Sequence, residues 1–128
     1  MAYMGEKATM KEYVDILGTR YTISEKTFEQ DPFLKENGFG GYCAELAKEI
    51  VVLDINADVY KDLSEAEKIE NRKQVLRHEI IHAFLNESGL SQDANKWDAA
   101  WPKNEEMVDW IAIQFPKILK AYQWCECL

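Results

Sequence analysis

The chain has 128 residues, 47% of them apolar and 30% charged, an ordinary globular composition that suits one domain over residues 1–128 with a core of its own. Its net charge of −8, from 15 Lys and Arg against 23 Asp and Glu, argues against nonspecific nucleic-acid binding, which needs a basic surface to neutralise phosphate. No segment approaches the roughly 20 consecutive apolar residues of a membrane span. Residues 1–12 are mixed and polar, without the apolar stretch of a secretory signal, so a cytoplasmic protein with no membrane partner is expected.

In chain order, residues 14–23 are rich in β-branched and aromatic side chains and read as a first strand. Residues 29–41 carry Asp31-Pro32, Asn37-Gly38 and Gly40-Gly41, all signals of loop and turn. A second strand is expected over 42–46, a turn at Ala47-Lys48, and a third strand over 49–55, whose apolar run has strand length. Ser64 and Glu67 form a capping box that opens a long helix, and Gly89 marks its end. A loop over 90–103 carries Trp97 and Trp101. Asn104 then caps a last helix with an apolar face of Ile111, Phe115, Ile118, Leu119 and Tyr122, in which Pro116 should force a kink or tighten a turn. The expected fold class is α+β: a three-stranded, mostly antiparallel sheet packed on two helices.

The long helix contains His78-Glu79-Ile80-Ile81-His82, and these are the only two histidines of the chain. Histidines at i and i+4 on a helix point only about 40° apart. Their imidazoles can hold one Zn²⁺ from one side and leave the other open. Glu79 is rotated toward the water at such a metal and can take its proton. The alternative is a charged surface turn whose histidines repeat by chance. Ile80, Ile81, Ala83, Phe84 and Leu85 argue against it, because a helix apolar nearly all round is buried, and buried imidazoles and carboxylates are costly unless satisfied.

A catalytic zinc takes a third protein ligand. With no third histidine, a carboxylate from the start of the last helix is expected. Glu105 is preferred and Glu106 is the alternate. Asp109, four residues beyond Glu105 on the same face, can accept the outer N–H of a ligating histidine. The three cysteines, Cys43, Cys125 and Cys127, are an odd count that suits reduced thiols. Cys125 and Cys127 lack the second pair that a tetrahedral site needs, and read as a tail with free thiols.

The segment 78–85 followed by Asn104-Glu105-Glu106-Met107-Val108-Asp109 resembles the gluzincin metallopeptidases, H-E-x-x-H with a downstream glutamate. Asn104-Glu105 with Asp109 looks like the Asn-Glu-x-x-x-Asp of thermolysin-like peptidases, which implies Glu105 as ligand and Asp109 as its supporting acid. Chain length and element order look more like the small zincins of phages and prophages, related in architecture to the ImmA/IrrE group. Leu17-Gly18-Thr19-Arg20-Tyr21-Thr22 and Gly41-Tyr42-Cys43 also look like these proteins. The ImmA-type pattern, read through Trp110-Ile111, would favour Glu106 instead. SprT-like proteases fit less well because they use a third histidine.

The expected function is zinc-dependent hydrolysis of a peptide or protein substrate, with Glu79 as general base. The apolar strand over 49–55, or its neighbour over 42–46, would offer a sheet edge to the substrate. Tyr42 is a candidate oxyanion donor, and Trp97 and Trp101 are candidate cleft walls. Two other readings are a zinc-containing, non-catalytic protein that binds a phage or host partner, and a metal-free structural domain. Intact Glu79 favours the enzyme, since a scaffold needs no base.

Overall fold

Ile16 and Thr19 face each other across a two-residue turn, and this turn is the first departure from the expected strand order. Leu17 and Gly18 adopt successive positive φ angles of 51° and 91°, as in the tight hairpin turn whose twist matches that of the flanking strands. The Asp15 carboxylate accepts from the Gly18 amide at 3.3 Å. The single strand expected over 14–23 is therefore two, β1 (Tyr13–Ile16) and β2 (Thr19–Lys26). The computed structural model describes residues 10–37, 40–90 and 104–128. The elements that follow are α1 (Pro32–Asn37), β3 (Gly41–Ala44), β4 (Glu49–Leu53), a short 3₁₀ turn at Asp58–Tyr60, α2 (Glu65–Glu87) and α3 (Glu105–Trp124).

The α+β class holds, with a four-stranded mixed sheet in place of the expected three antiparallel strands. Its order is β1-β2-β4-β3. The pairs β1–β2 and β3–β4 are antiparallel, while β2–β4 is parallel, with Thr22 opposite Glu49 and Lys26 opposite Leu53. Two hairpins are thus joined side by side through the two strands that are apolar on the inner face. A parallel neighbour needs a long crossover connection, and residues 27–48 supply it. Part of that connection, expected as loop, is α1. Asp31 accepts from the Phe33 amide at 3.1 Å, and Pro32 occupies the first helical position, where its missing N–H costs nothing. The β3–β4 turn spans 45–48, with Lys48 at φ 55°, and Leu46 is left almost fully exposed at its tip.

Both sheet faces are covered. On one lie Ile16, Tyr21, Ile23, Ile50 and Val52, packed by Val75, Leu76, Ile80 and Ala83 of α2. On the other, Val51 and Leu53 meet Leu34 of α1 with Phe28, Tyr42 and Tyr60. β4 is buried on both faces, which explains its unbroken apolar run.

The capping box of α2 forms as expected: Ser64 Oγ accepts from the Glu67 amide at 3.1 Å and Glu67 accepts from the Ser64 amide at 2.8 Å. Gly89, at φ 94°, lies just past the helix end, as expected. α3 starts at the Asn104 cap, which accepts from the Met107 amide at 3.0 Å, and runs through Pro116 without a break. Its buried residues are Val108 and Ala112, while Phe115 and Tyr122, expected inside, are exposed. Trp97, Trp101 and most of the loop expected over 90–103 lie outside the described residues. No helix among the described residues is long and apolar enough to cross a membrane.

Two contacts lock α2 to the sheet. Gly41 is buried where a Cβ would stand 2.7 Å from both the Val51 carbonyl oxygen and Val75 Cγ1. Gly41→Ala should therefore cost about 1–3 kcal/mol, the usual range for overpacking, read as a lower urea midpoint. At the other end, Glu87 accepts from Lys48 at 2.7 Å and from Tyr21 at 2.6 Å. These partners, Lys48 first, hold its carboxyl down from 4.5 to about 2. A depressed folded-state value means this contribution is complete above pH 4.5 and lost as pH falls toward 2. Glu87→Gln should give a visibly shallower fall of melting temperature across that window than the parent shows.

Candidate metal centre

The side of α2 not taken by the sheet turns His78 and His82 toward α3. Their Nε2 atoms are 3.2 Å apart. Glu105 reaches across from the first turn of α3, with Oε1 2.6 Å from His82 Nε2 and Oε2 3.6 Å from His78 Nε2. One turn later, Asp109 Oδ1 lies 2.6 Å from His78 Nδ1. A carboxylate only accepts, so His78 Nδ1 carries the proton and its Nε2 presents a lone pair to the centre of the group. That is the tautomer a metal requires.

The spacing also fits. Two ligand atoms bound to tetrahedral zinc at about 2.05 Å lie about 3.3 Å apart. The imidazole pair, at 3.2 Å, meets that requirement, and the two Glu105 distances straddle it. His78, Glu79 and His82 form a group able to hold a metal ion, with their potential ligand atoms within 4.8 Å of one another. Glu106, the alternate third ligand, is turned away: it lines a separate hollow with Asn104, Met107 and Trp110.

Glu79 occupies a different environment from its neighbours. It lies between His78 and the sheet, only 6% exposed, and no hydrogen bond from the described residues reaches its carboxylate. Burial first, then the nearby Glu105 and Asp109 charges, push its carboxyl from 4.5 up to about 8. A divalent cation at the imidazoles would favour the ionised form and pull it back down. Glu79 opens onto a cleft of about 300 Å³ between α2, α3 and the start of β3.

That cleft contains residues the motif did not point to. Gly40 and Gly41 form one wall, and Asn71, Gln74, Val75 and Arg77 continue it along α2. Asn71, Gln74 and Val75 sit one to two turns before His78, so helical spacing alone could have placed them on its face. Gly40-Gly41 carries a turn signal in the sequence and no sign of a place in the cleft.

Three other expectations are corrected or narrowed. Tyr42 cannot be an oxyanion donor here: it points to the opposite sheet face, where its hydroxyl donates to Asp31 and its ring meets Phe33. β4 cannot offer an edge, since it is paired on both sides, whereas β3 is an edge strand. Cys43 is held in the core beneath α2, and burial, with Glu79 nearby, pushes its thiol up to about 12, so it stays protonated. Cys125 and Cys127 are exposed and free.

No family model matches the chain, and neither a curated protein nor a solved structure does. The chemistry of the site is therefore read from its own geometry.

A divalent transition metal seated here should stabilise the native state, because it binds a site the unfolded chain lacks. Addition of Zn²⁺ to metal-stripped protein should raise the melting temperature. Glu105→Ala should remove most of that gain, while Glu106→Ala should keep it. The reverse ranking would reassign the third ligand. Asp109→Ala should weaken metal affinity by about 10–100-fold.

Proposed function

We propose that this chain is a zinc-dependent metallopeptidase of the small zincin kind. The observation that carries the reading is the largely buried Glu79 carboxylate, which opens onto the cleft beside two imidazoles whose Nε2 atoms converge. A scaffold has no use for such a carboxylate, which is costly to bury. When bound, zinc supplies a Lewis acid that polarises the scissile carbonyl and brings the pKa of water to about 7.

The residues divide the remaining work. His78, His82 and Glu105 would hold the metal. Asp109 keeps His78 in the ligating tautomer and fixes its ring. Glu79 takes the proton of the attacking water and delivers it to the departing amine, as one carboxylate can do in both steps. The free edge of β3 runs beside the cleft and suits a substrate backbone added as a further strand. Resemblance to phage and prophage zincins makes a bacterial cytoplasm the proposed setting.

The test separates metal binding from chemistry. Protein from zinc-replete expression should contain about one zinc per chain, as a single three-ligand site implies. Glu79→Gln should keep that zinc and lose on the order of 10²-fold or more in peptide turnover, the scale of a general base. Equal turnover by variant and parent would remove Glu79 from the mechanism. Bound zinc without cleavage of any peptide in a broad library would favour a zinc-containing protein that binds a phage or host partner.

A further inference from the structure

We infer that the end of the cleft remote from the histidines binds a carboxylate of the substrate, with Arg77 as its partner. This rests on the metallopeptidase reading and names the substrate chemistry of the same site. Arg77 immediately precedes His78 in sequence, yet its guanidinium reaches back along the helix. Its Nη2 lies 3.7 Å from Oε1 of Glu70, two helical turns back. Side chains on a helix lean toward its N-terminus, so the guanidinium sits between one and two turns, roughly 5–10 Å, before His78 along the helix axis. An extended peptide covers about 3.3 Å per residue. A substrate residue two or three places from the attacked bond would reach it.

The wall around that point carries polar amide groups, each with an N–H donor. Asn71 and Gln74 line the cleft there, and neither side chain makes a hydrogen bond among the described residues. Glu70 is a poor match for Arg77: at 3.7 Å the contact is too long for a hydrogen bond, and both side chains are open to water, at 60% and 36% exposure. Exposed pairs of this kind exchange readily. A planar guanidinium is built to hold a carboxylate by two parallel N–H bonds, and here that face is unmatched.

Charge is divided along the cleft. Its acids, Glu79, Glu105 and Asp109, lie at the histidine end, and among the described residues Arg77 is the Lys or Arg that lines it. With a divalent ion at the histidines, the acidic end is largely compensated and Arg77 is left to select charge. Two sources of carboxylate fit, a Glu or Asp side chain or the C-terminus of the peptide.

Fluorescein-labelled alanine peptides carrying a single Glu, Gln or Lys, each amidated at the C-terminus, would be titrated into zinc-loaded Glu79→Gln protein, which should not cleave them. An all-alanine peptide with a free C-terminus completes the set. Fluorescence anisotropy should show the Glu peptide, or the free-acid peptide, binding about tenfold more tightly than the Gln peptide, as expected for a charge-assisted bidentate pair. Which of the two binds identifies the source. Arg77→Gln in the same background should erase the preference, and Glu70→Gln, which releases Arg77, should sharpen it. Equal binding of all peptides, a preference for Lys, or a preference that survives Arg77→Gln would overturn the inference. Zinc content measured on the same samples keeps this outcome separate from failure of the metallopeptidase reading, which would show as absent metal.

Discussion

The rotation of α2 about its own axis is the constraint on which the site depends. Val75, Leu76, Ile80 and Ala83 dock onto Ile16, Tyr21, Ile23, Ile50 and Val52, and a helix held along one stripe has no freedom left for the others. With that stripe against the sheet, His78 and His82 face α3 and Glu79 turns inward. A rotation of one residue, about 100°, would expose Glu79 and bury a histidine in the apolar layer. Ordinary hydrophobic packing therefore sets the geometry of the polar group.

The ends of α2 are secured by different forces. Toward its N-terminal half, close packing of Gly41 against Val75 and the Val51 carbonyl leaves no room for a side chain. At its C-terminal end, Glu87 gathers Tyr21 from the first hairpin and Lys48 from the turn of the second. Arg72 adds a third tie, 3.0 Å from Glu25 of β2. The two hairpins, joined only by the parallel β2–β4 pairing, are thus also bridged by one helix. α3 closes the arrangement antiparallel to α2, so that Glu105 meets His82 and Asp109 meets His78, one turn apart on each helix.

Three carboxylates within one site sit in different environments. Glu79 is largely withdrawn from water and lies near the Glu105 and Asp109 charges, and both conditions oppose its ionisation. Glu105 and Asp109 remain largely exposed but are engaged by imidazoles. The result is one carboxylate held largely neutral by its surroundings and two that face the imidazoles. Further along the cleft, Asn71, Gln74 and Arg77 take the place of acids among the described lining residues.

The sequence by itself determined the local features whose physics is local. The spacing of His78, Glu79 and His82, the Ser64–Glu67 capping box, the stop at Gly89 and the Asn104 cap all depend on residues within about one turn of each other. The acidic start of α3 was legible too, and so was the shared face of Glu105 and Asp109, because four residues separate them. Tertiary structure decided what depends on distant partners. Leu17-Gly18 is a weak turn signal, since leucine seldom adopts positive φ, and only pairing of Ile16 with Thr19 makes it a hairpin. Asp31-Pro32 signals a helix start as readily as a turn, and burial of Leu34 selects the helix. The parallel placement of β4 beside β2, the assignment of Tyr42 to the far sheet face, and the gathering of Gly40, Asn71, Gln74 and Arg77 around one cleft involve residues tens of positions apart. Periodicity reports which residues share a face of one element, and only packing decides what that face meets.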